Sequence, residues 1–446
     1  MTKEFNMSKI RRKCLVTVSL LMALFLSGFT VRKENNGYKL KEVVVLSRHN
    51  IRSPLSDGTS VLGKATPHEW FPWSSAASEL SLRGGILETE MGEYFRKWVV
   101  SEDLMSENYH PKENEVRFYA NSLQRTIATA QYFSSGFLPV ANVRIETHMP
   151  FNQMDPVFDP RLTFLTEDYQ KEAEKEMLAM IPDLSEEYAL LTDIIDFHDS
   201  PGYKSGELTD FNNDDNQLIF EAGKEPILKG SLANATSLAD ALVLQSYEEA
   251  DKKKAAFGKD LTEDQWKKVS SIKDVRMDVI FTAPLIACHM ANPLLQVIDS
   301  ELERDDRKFT FLCGHDSNLA SVLGALNIRD YIVDQSEELK TPIGSKLVFE
   351  KWEDQSGKEY VRLRLVYQNT EQLRGMPVLT LENPPMSHVF EIPTLESDEN
   401  GMVPYDQFND YLDEKIKDFE RLKERFGVTE PTINYTKTAL PDTADR

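Results

Sequence analysis

Two short apolar runs stand out in a chain that is otherwise amphipathic or charged. Glu42-Val43-Val44-Val45-Leu46-Ser47 and Lys308-Phe309-Thr310-Phe311-Leu312-Cys313 are continuous and rich in β-branched or aromatic residues. A strand covered on both faces needs no polar alternation, so both runs predict buried strands. Between them, Ile86, Leu87, Met91, Tyr94 and Trp98 follow Gly84-Gly85 at helical spacing, and a second helix is expected over 122–133. Strands alternating with helices predict an α/β fold, a mostly parallel central sheet flanked by helices on both faces.

The pattern changes near residue 155. Residues 155–278 are charged and helix-prone, with helices expected over 167–180, 237–247 and 264–269 and no buried strand. They read as a largely helical inserted domain, entered through Met154-Asp155-Pro156 and Phe158-Asp159-Pro160. The α/β domain is then discontinuous, 38–154 and 279–428. In its second part Leu347-Val348-Phe349-Glu350 predicts a strand. Val361 to Tyr367 alternates with period two, as a strand nearer the sheet edge does. Phe408, Tyr411, Leu412, Ile416, Phe419 and Leu422 mark a C-terminal amphipathic helix, and 429–446 reads as a poorly ordered tail.

Residues 1–30 read as a leader outside the fold. Lys9, Arg11, Arg12 and Lys13 precede a weakly polar to apolar run from Cys14 to Phe29. That run is shorter than the roughly 20 residues of a membrane span. A basic segment before such a run is the pattern of a secretory signal peptide, which predicts a periplasmic or secreted protein with no membrane insertion after cleavage. Loss of the leader leaves Cys288 and Cys313, which excludes a disulfide-built fold, and Cys313, inside an apolar strand, predicts a buried free thiol.

Charge narrows the ligand. The chain carries 51 basic against 73 acidic residues, a net −22. Such a surface repels nucleic acid and anionic lipid, so an anionic ligand needs a local basic pocket working against the global field. Ser47-Arg48-His49-Asn50-Ile51-Arg52-Ser53-Pro54 supplies one directly after the first buried strand, where α/β sheets hold their ligands. Two guanidiniums match phosphate oxygens in a bidentate way. The histidine between them is a nucleophile or an acid–base group, and the guanidinium charges should keep it neutral in mild acid. Gly314-His315-Asp316-Ser317-Asn318 follows the second strand. Its carboxyl supplies a proton for a leaving oxygen, and bound phosphate should raise its pKa. The other His-Asp pair, His198-Asp199, precedes Ser200-Pro201-Gly202 and follows no strand, so it reads as a solvated helix end. The remaining histidines lack ligand-like spacing, and no metal site is expected.

Arg48-His49-x-x-Arg52-x-Pro54 together with His315-Asp316 resembles the histidine acid phosphatases, the secreted branch of the histidine phosphatase superfamily. Tyr119-Ala120-Asn121-Ser122-Leu123-Gln124-Arg125-Thr126 is similar to the family segment that carries a third phosphate-binding arginine, here Arg125. Met154-Asp155-Pro156-x-Phe158 and Thr341-Pro342-Ile343-Gly344 also have counterparts, and the likeness covers roughly residues 40–425. Asn50, where most relatives have Gly, and Ser317-Asn318 resemble the periplasmic glucose-1-phosphatases. The resemblance implies a phosphoglycerate mutase-like fold and a phosphatase that needs neither metal nor cofactor. His49 would take the phosphoryl group, Asp316 would protonate the departing alcohol, and Arg48, Arg52, Arg125 and His315 would hold phosphate oxygens. Glu225, in Lys224-Glu225-Pro226, is the candidate sugar-side contact, and Asn50 beside the nucleophile is a second candidate. The implied substrate is a small-molecule phosphate monoester, glucose 1-phosphate favoured, with inositol phosphates (a phytase) as the alternative.

Overall fold

The two apolar runs lie side by side in the computed structural model, which describes residues 37–55 and 60–429. The expected leader, and the tail from 430 onward, lie outside the described residues. The strands are β1 (Tyr38–Arg48), β2 (Val116–Ala120), a small pair β3 (Gln217–Ile219) and β4 (Ile227–Lys229), β5 (Phe309–Gly314), β6 (Lys346–Asp354), β7 (Glu359–Tyr367), β8 (Met386–Val389) and β9 (Val403–Pro404). The main sheet runs β2-β5-β1-β6-β7-β8, with β9 also on β7.

The fold is α/β, with a mixed sheet. Parallel pairing is confined to β2, β5 and β1, and β6, β7, β8 and β9 pair antiparallel. The expectation of a mostly parallel sheet therefore holds for its ligand-facing half only. Connection length is the reason. A turn closed by Asp354 N–H donating to Lys358 O at 2.9 Å joins β6 to β7, too short for the crossover that parallel strands need.

β7 lies near the sheet edge as expected, with only β8 and β9 beyond it. Its period-two polar positions do not face water. Arg362 and Arg364 both meet Glu350 of β6, Arg362 at 2.8 Å, and Glu350 is fully buried. Arg364 also stacks over Trp98, 4.7 Å from the ring centre.

Helices cover both faces, and the pleat of β1 assigns them. Val43 and Val45 face a cluster with Met91, Phe95 and Trp98 of α1 (Leu82–Ser101) and Phe133 and Phe137 of α2 (Gln124–Phe137). Val44 and Leu46 face the opposite cluster. Helices α7 (Pro284–Leu302), α8 (Asp316–Ala325) and α9 (Tyr405–Arg425) supply Leu294, Ile298, Leu319, Val322, Phe408 and Leu412 there. Met91 is thus core packing.

Between β2 and α7 the chain forms α3 (Glu167–Leu178), α4 (Ser185–Ile194), α5 (Ser231–Glu248) and α6 (Glu263–Met277). These helices gather around Tyr169, Met177, Leu191, Leu238, Leu242 and Trp266, and the same cluster continues into Ile286 and Met290 of α7. The β3–β4 hairpin is a further element of this region, three residues a side with one buried position each, too short for its alternation to register in the sequence.

α1 and α2 approach closely enough to need glycine. A Cβ at Gly92 would lie 2.2 Å from the carbonyl oxygen of Phe133, a backbone atom that cannot yield. Gly92→Val should therefore destabilise the fold by about 2–3 kcal/mol, through overpacking at a helix crossing. Chemical denaturation of both proteins checks this.

Candidate active site

Strand register brings the two predicted stretches together. Arg48 at the end of β1 is opposite Gly314 at the end of β5. One residue on, the His49 N–H donates to the Gly314 carbonyl at 3.1 Å. The chain turns from β5 into α8 through His315, whose N–H donates to Asn318 Oδ1 at 2.9 Å, while Asn318 Nδ2 donates to the Phe158 carbonyl at 2.9 Å. The loop at Thr341–Gly344 closes the other side, with Gly344 N–H donating to the His49 carbonyl at 3.1 Å. Gly344 has φ +71°, and a Cβ there would lie 2.6 Å from Asn50 Nδ2, so glycine is required twice over.

These elements open onto one cavity of about 580 Å³. His49, Arg52, Arg125, His315 and Asp316 line its floor, Asp240 and Lys273 from the helical region adjoin Arg52, and Glu225 and Arg276 complete the lining. Each sequence-predicted phosphate-side residue is therefore at or directly behind one cavity. Asn50 is not. Its amide donates to Glu88 Oε2 at 2.8 Å and its oxygen accepts from the Ile51 N–H at 2.9 Å, both away from the cavity. Asn50, expected beside substrate, is placed outside the cavity lining, where its side chain ties the His49 loop to the core. Glu88 in turn pairs with Lys346 at 2.8 Å, both fully buried.

The hydrogen bonds fix both tautomers. His49 Nδ1 lies 2.9 Å from the Asn50 carbonyl, which can only accept, so Nδ1 carries the proton and Nε2 keeps its lone pair. Burial and then the charges of Arg125 and Arg52 hold this imidazole's pKa well below its ordinary value. In His315 the pattern is reversed. Asn121 Oδ1 accepts from the Asp155 N–H at 2.9 Å, so its amide nitrogen must face His315 Nε2, 2.7 Å away. His315 Nε2 therefore accepts, and its Nδ1–H becomes a donor. Arg125 Nη2 lies 3.5 Å from that Nδ1, so two donors converge on one spot, the arrangement that suits an anion's oxygen.

The guanidiniums are held individually. Arg48, 1% exposed, reaches Glu338 at 2.7 Å with Nη1 and Asp316 at 3.0 Å with Nη2. Arg52 pairs with Asp240 at 3.2 Å. Among the described residues Arg125 has no such carboxylate contact, and burial with the Arg52 charge brings its pKa down to about 10. For Asp316, burial pushes the carboxyl up, but Arg48, Arg52 and His315 outweigh it and hold the pKa below the ordinary value. That differs from the raised value expected near bound phosphate. The arginine charges set this direction, and the charge of a phosphate among them would offset it.

Glu225 sits in the β3–β4 connection and lines the same cavity. Burial pushes its carboxyl up, opposed by the charge of Arg276. His198 lies elsewhere, exposed and paired with Asp210 at 2.7 Å.

Three residues escaped sequence reasoning: Asp240, Lys273 and Glu338. Lys273 Nζ lies 3.1 Å from Asp240 and 2.9 Å from Glu338, so the three join the holders of Arg52 and Arg48 into one chain of charges. The available signal was Asp240 among Leu238, Ala239, Ala241 and Leu242, a carboxylate on an otherwise apolar stretch of α5.

Known proteins resemble this chain in sequence and fold. Residues 39–366 match the family model of the histidine phosphatase superfamily (branch 2). The glucose-1-phosphatase of Salmonella typhimurium is 35% identical over 413 residues, covering 91% of this chain and 100% of that protein. The glucose-1-phosphatase of Providencia rettgeri is 37% identical over 377 residues, 83% of this chain and 90% of that one. Among solved structures, the apo form of the Hafnia alvei phytase is similar with a TM-score of 0.78 and 29% identity, covering 85% of this chain and 98% of that chain. With the family model matched over residues 39–366 and relatives 35% and 37% identical over most of the chain, the protein belongs to branch 2 of the histidine phosphatase superfamily.

Proposed function

We propose that the protein is an exported acid phosphatase that hydrolyses sugar phosphate monoesters, glucose 1-phosphate in particular, through a phosphohistidine on His49. The observation that carries this reading is the convergence on one cavity of a lone-pair Nε2, a set of anion donors and a carboxyl. Phosphate oxygens lie against Arg48, Arg52, Arg125 and His315 Nδ1–H. The guanidiniums supply the charge neutralisation that magnesium supplies in kinases.

His49 Nε2 attacks phosphorus, and the bond from phosphorus to the sugar oxygen breaks. The ring becomes cationic, and the Asn50 carbonyl accepting from Nδ1–H stabilises it. Asp316 gives its proton to the departing oxygen. Water then attacks the phosphohistidine, its proton returns to Asp316, and the P–N bond breaks to release inorganic phosphate and neutral His49. The arriving phosphate dianion offsets the arginine charges, so the carboxyl gains its proton when substrate is bound. Each oxyanion contact of this kind contributes about 3–4 kcal/mol to lowering the barrier.

On the leaving-group wall, Glu225 faces the charge of Arg276. A pair of near-zero net charge suits the hydroxyls of a neutral sugar, whereas the carboxylate repels further phosphates. Two relatives named glucose-1-phosphatase, at 35% and 37% identity, support the same choice. The second reading, a phytase, is favoured by the likeness to the Hafnia alvei enzyme. The leader read in residues 1–30 supports export.

Purified protein should show a higher kcat/KM for glucose 1-phosphate than for phytate in mild acid; a clear preference for phytate overturns the substrate assignment. His49→Ala should abolish turnover with an unchanged circular dichroism spectrum. Asp316→Asn should slow an alkyl phosphate more than p-nitrophenyl phosphate, by a further factor of about 10²–10³, because only the poor leaving group needs the proton. Burial and the Arg125 and Arg52 charges depress the His49 pKa. Removing one charge by Arg125→Met favours the imidazolium, so the acid limb of kcat/KM should move to higher pH than in wild type.

A further inference from the structure

A line of alternating charges links Arg52 to Arg48 and ends on Asp316. Arg52 meets Asp240 at 3.2 Å, Asp240 meets Lys273 at 3.1 Å, and Lys273 meets Glu338 Oε1 at 2.9 Å. The same Glu338 oxygen lies 2.7 Å from Arg48 Nη1, and Arg48 Nη2 lies 3.0 Å from Asp316. Glu338 cannot swing away, because its other oxygen accepts from the Ile343 N–H at 2.8 Å and from Tyr247 at 3.4 Å. Glu338 and Lys273 are 3% and 9% exposed, so solvent screens this line poorly.

We propose that Glu338 and Lys273 are a positioning pair that sets the proton affinity of Asp316 through the shared guanidinium of Arg48. The proposal rests on the reading of Asp316 as proton donor. Arg48 stands between two carboxylates, and its charge is divided between them. Take away the Glu338 charge, and the guanidinium acts on Asp316 undivided, so the carboxyl gives up its proton at lower pH. Take away Lys273, and Glu338 is less compensated, so Asp316 keeps its proton to higher pH.

Other groups face Asp316 in both cases. Arg52, Arg125 and His315 act on it from the floor, with His49 neutral beside them. Glu225 acts from elsewhere in the cavity lining, to which Asp240 and Arg276 also belong. None of them changes in the two variants, so the sign of each shift belongs to the residue replaced.

The test is the basic limb of kcat against pH, which reports the acid in the enzyme–substrate complex. Glu338→Gln should move that limb down by about one pH unit, and Lys273→Met should move it up by about one, the size expected for losing one buried charge nearby. Glu338→Gln/Lys273→Met should return it to within about 0.3 unit of wild type, since the two removals cancel. A packing role alone would lower kcat at every pH without opposite displacements. If one variant does not fold, the sign found for the other decides, and Glu338→Asp should reproduce the downward shift at smaller size. Shifts of the same sign, or a limb unmoved in every variant while Asp316→Asn retains its leaving-group defect, overturn the proposal and leave the proton-donor reading standing. An Asp316→Asn enzyme with no leaving-group defect overturns that reading, and the proposal with it.

Discussion

Arg52 and Arg125 line one cavity, and Arg48 joins them through Asp316, in a protein whose net charge is −22; the rest of the site follows from how these guanidiniums are kept there. Buried cations need partners, yet cations fully neutralised by carboxylates would no longer attract phosphate. Glu338 pairs with Arg48 and Asp240 with Arg52, while Arg125 meets no carboxylate among the described residues. Burial, and then the Arg52 charge, lowers the Arg125 pKa to about 10. An anion with several oxygens offsets the charge that remains.

The scaffold makes the arrangement rigid. Parallel pairing of β1 with β5 places residues 48 and 314, far apart in sequence, opposite each other. The fully buried Glu88–Lys346 pair and the Asn50 amide then pin the loop that carries His49. Breaking a pair of this kind leaves an uncompensated buried charge, which costs about 3–5 kcal/mol. The nucleophile's orientation is thus tied to core stability, and its tautomer is set by its own next residue's carbonyl.

Much of this was legible in the sequence because the ligand-facing residues follow apolar strands directly. A continuous hydrophobic run ending in charged residues marks a strand end, and strand ends in α/β sheets face ligands. Direction was not legible, since an apolar run reads the same in either sense, and the β6–β7 turn decides it. The place of Asn50 was not legible either, because a polar residue beside a nucleophile looks ligand-facing, whereas Gly344 and Glu88 surround its amide. Asp240 and Arg52 are 188 positions apart, and Glu338 and Arg48 are 290 apart. No local pattern records such a partner. At most it shows that a charge sits where an apolar side chain would pack.

In the proposed mechanism the same positive field acts on both His49 and Asp316, and the two need opposite outcomes. For His49 a depressed pKa is useful at once, because the neutral ring can attack in mild acid. For Asp316 a depressed pKa is a disadvantage, because an ionised carboxyl has no proton to give. Substrate removes the conflict. A phosphate dianion placed among the guanidiniums cancels much of their field at Asp316, while His49 is consumed by bonding to phosphorus. The acid therefore gains its proton when there is a leaving oxygen to receive it. Proton donation becomes conditional on occupancy, with no moving part beyond the ligand, provided that Arg48 stays divided between Glu338 and Asp316.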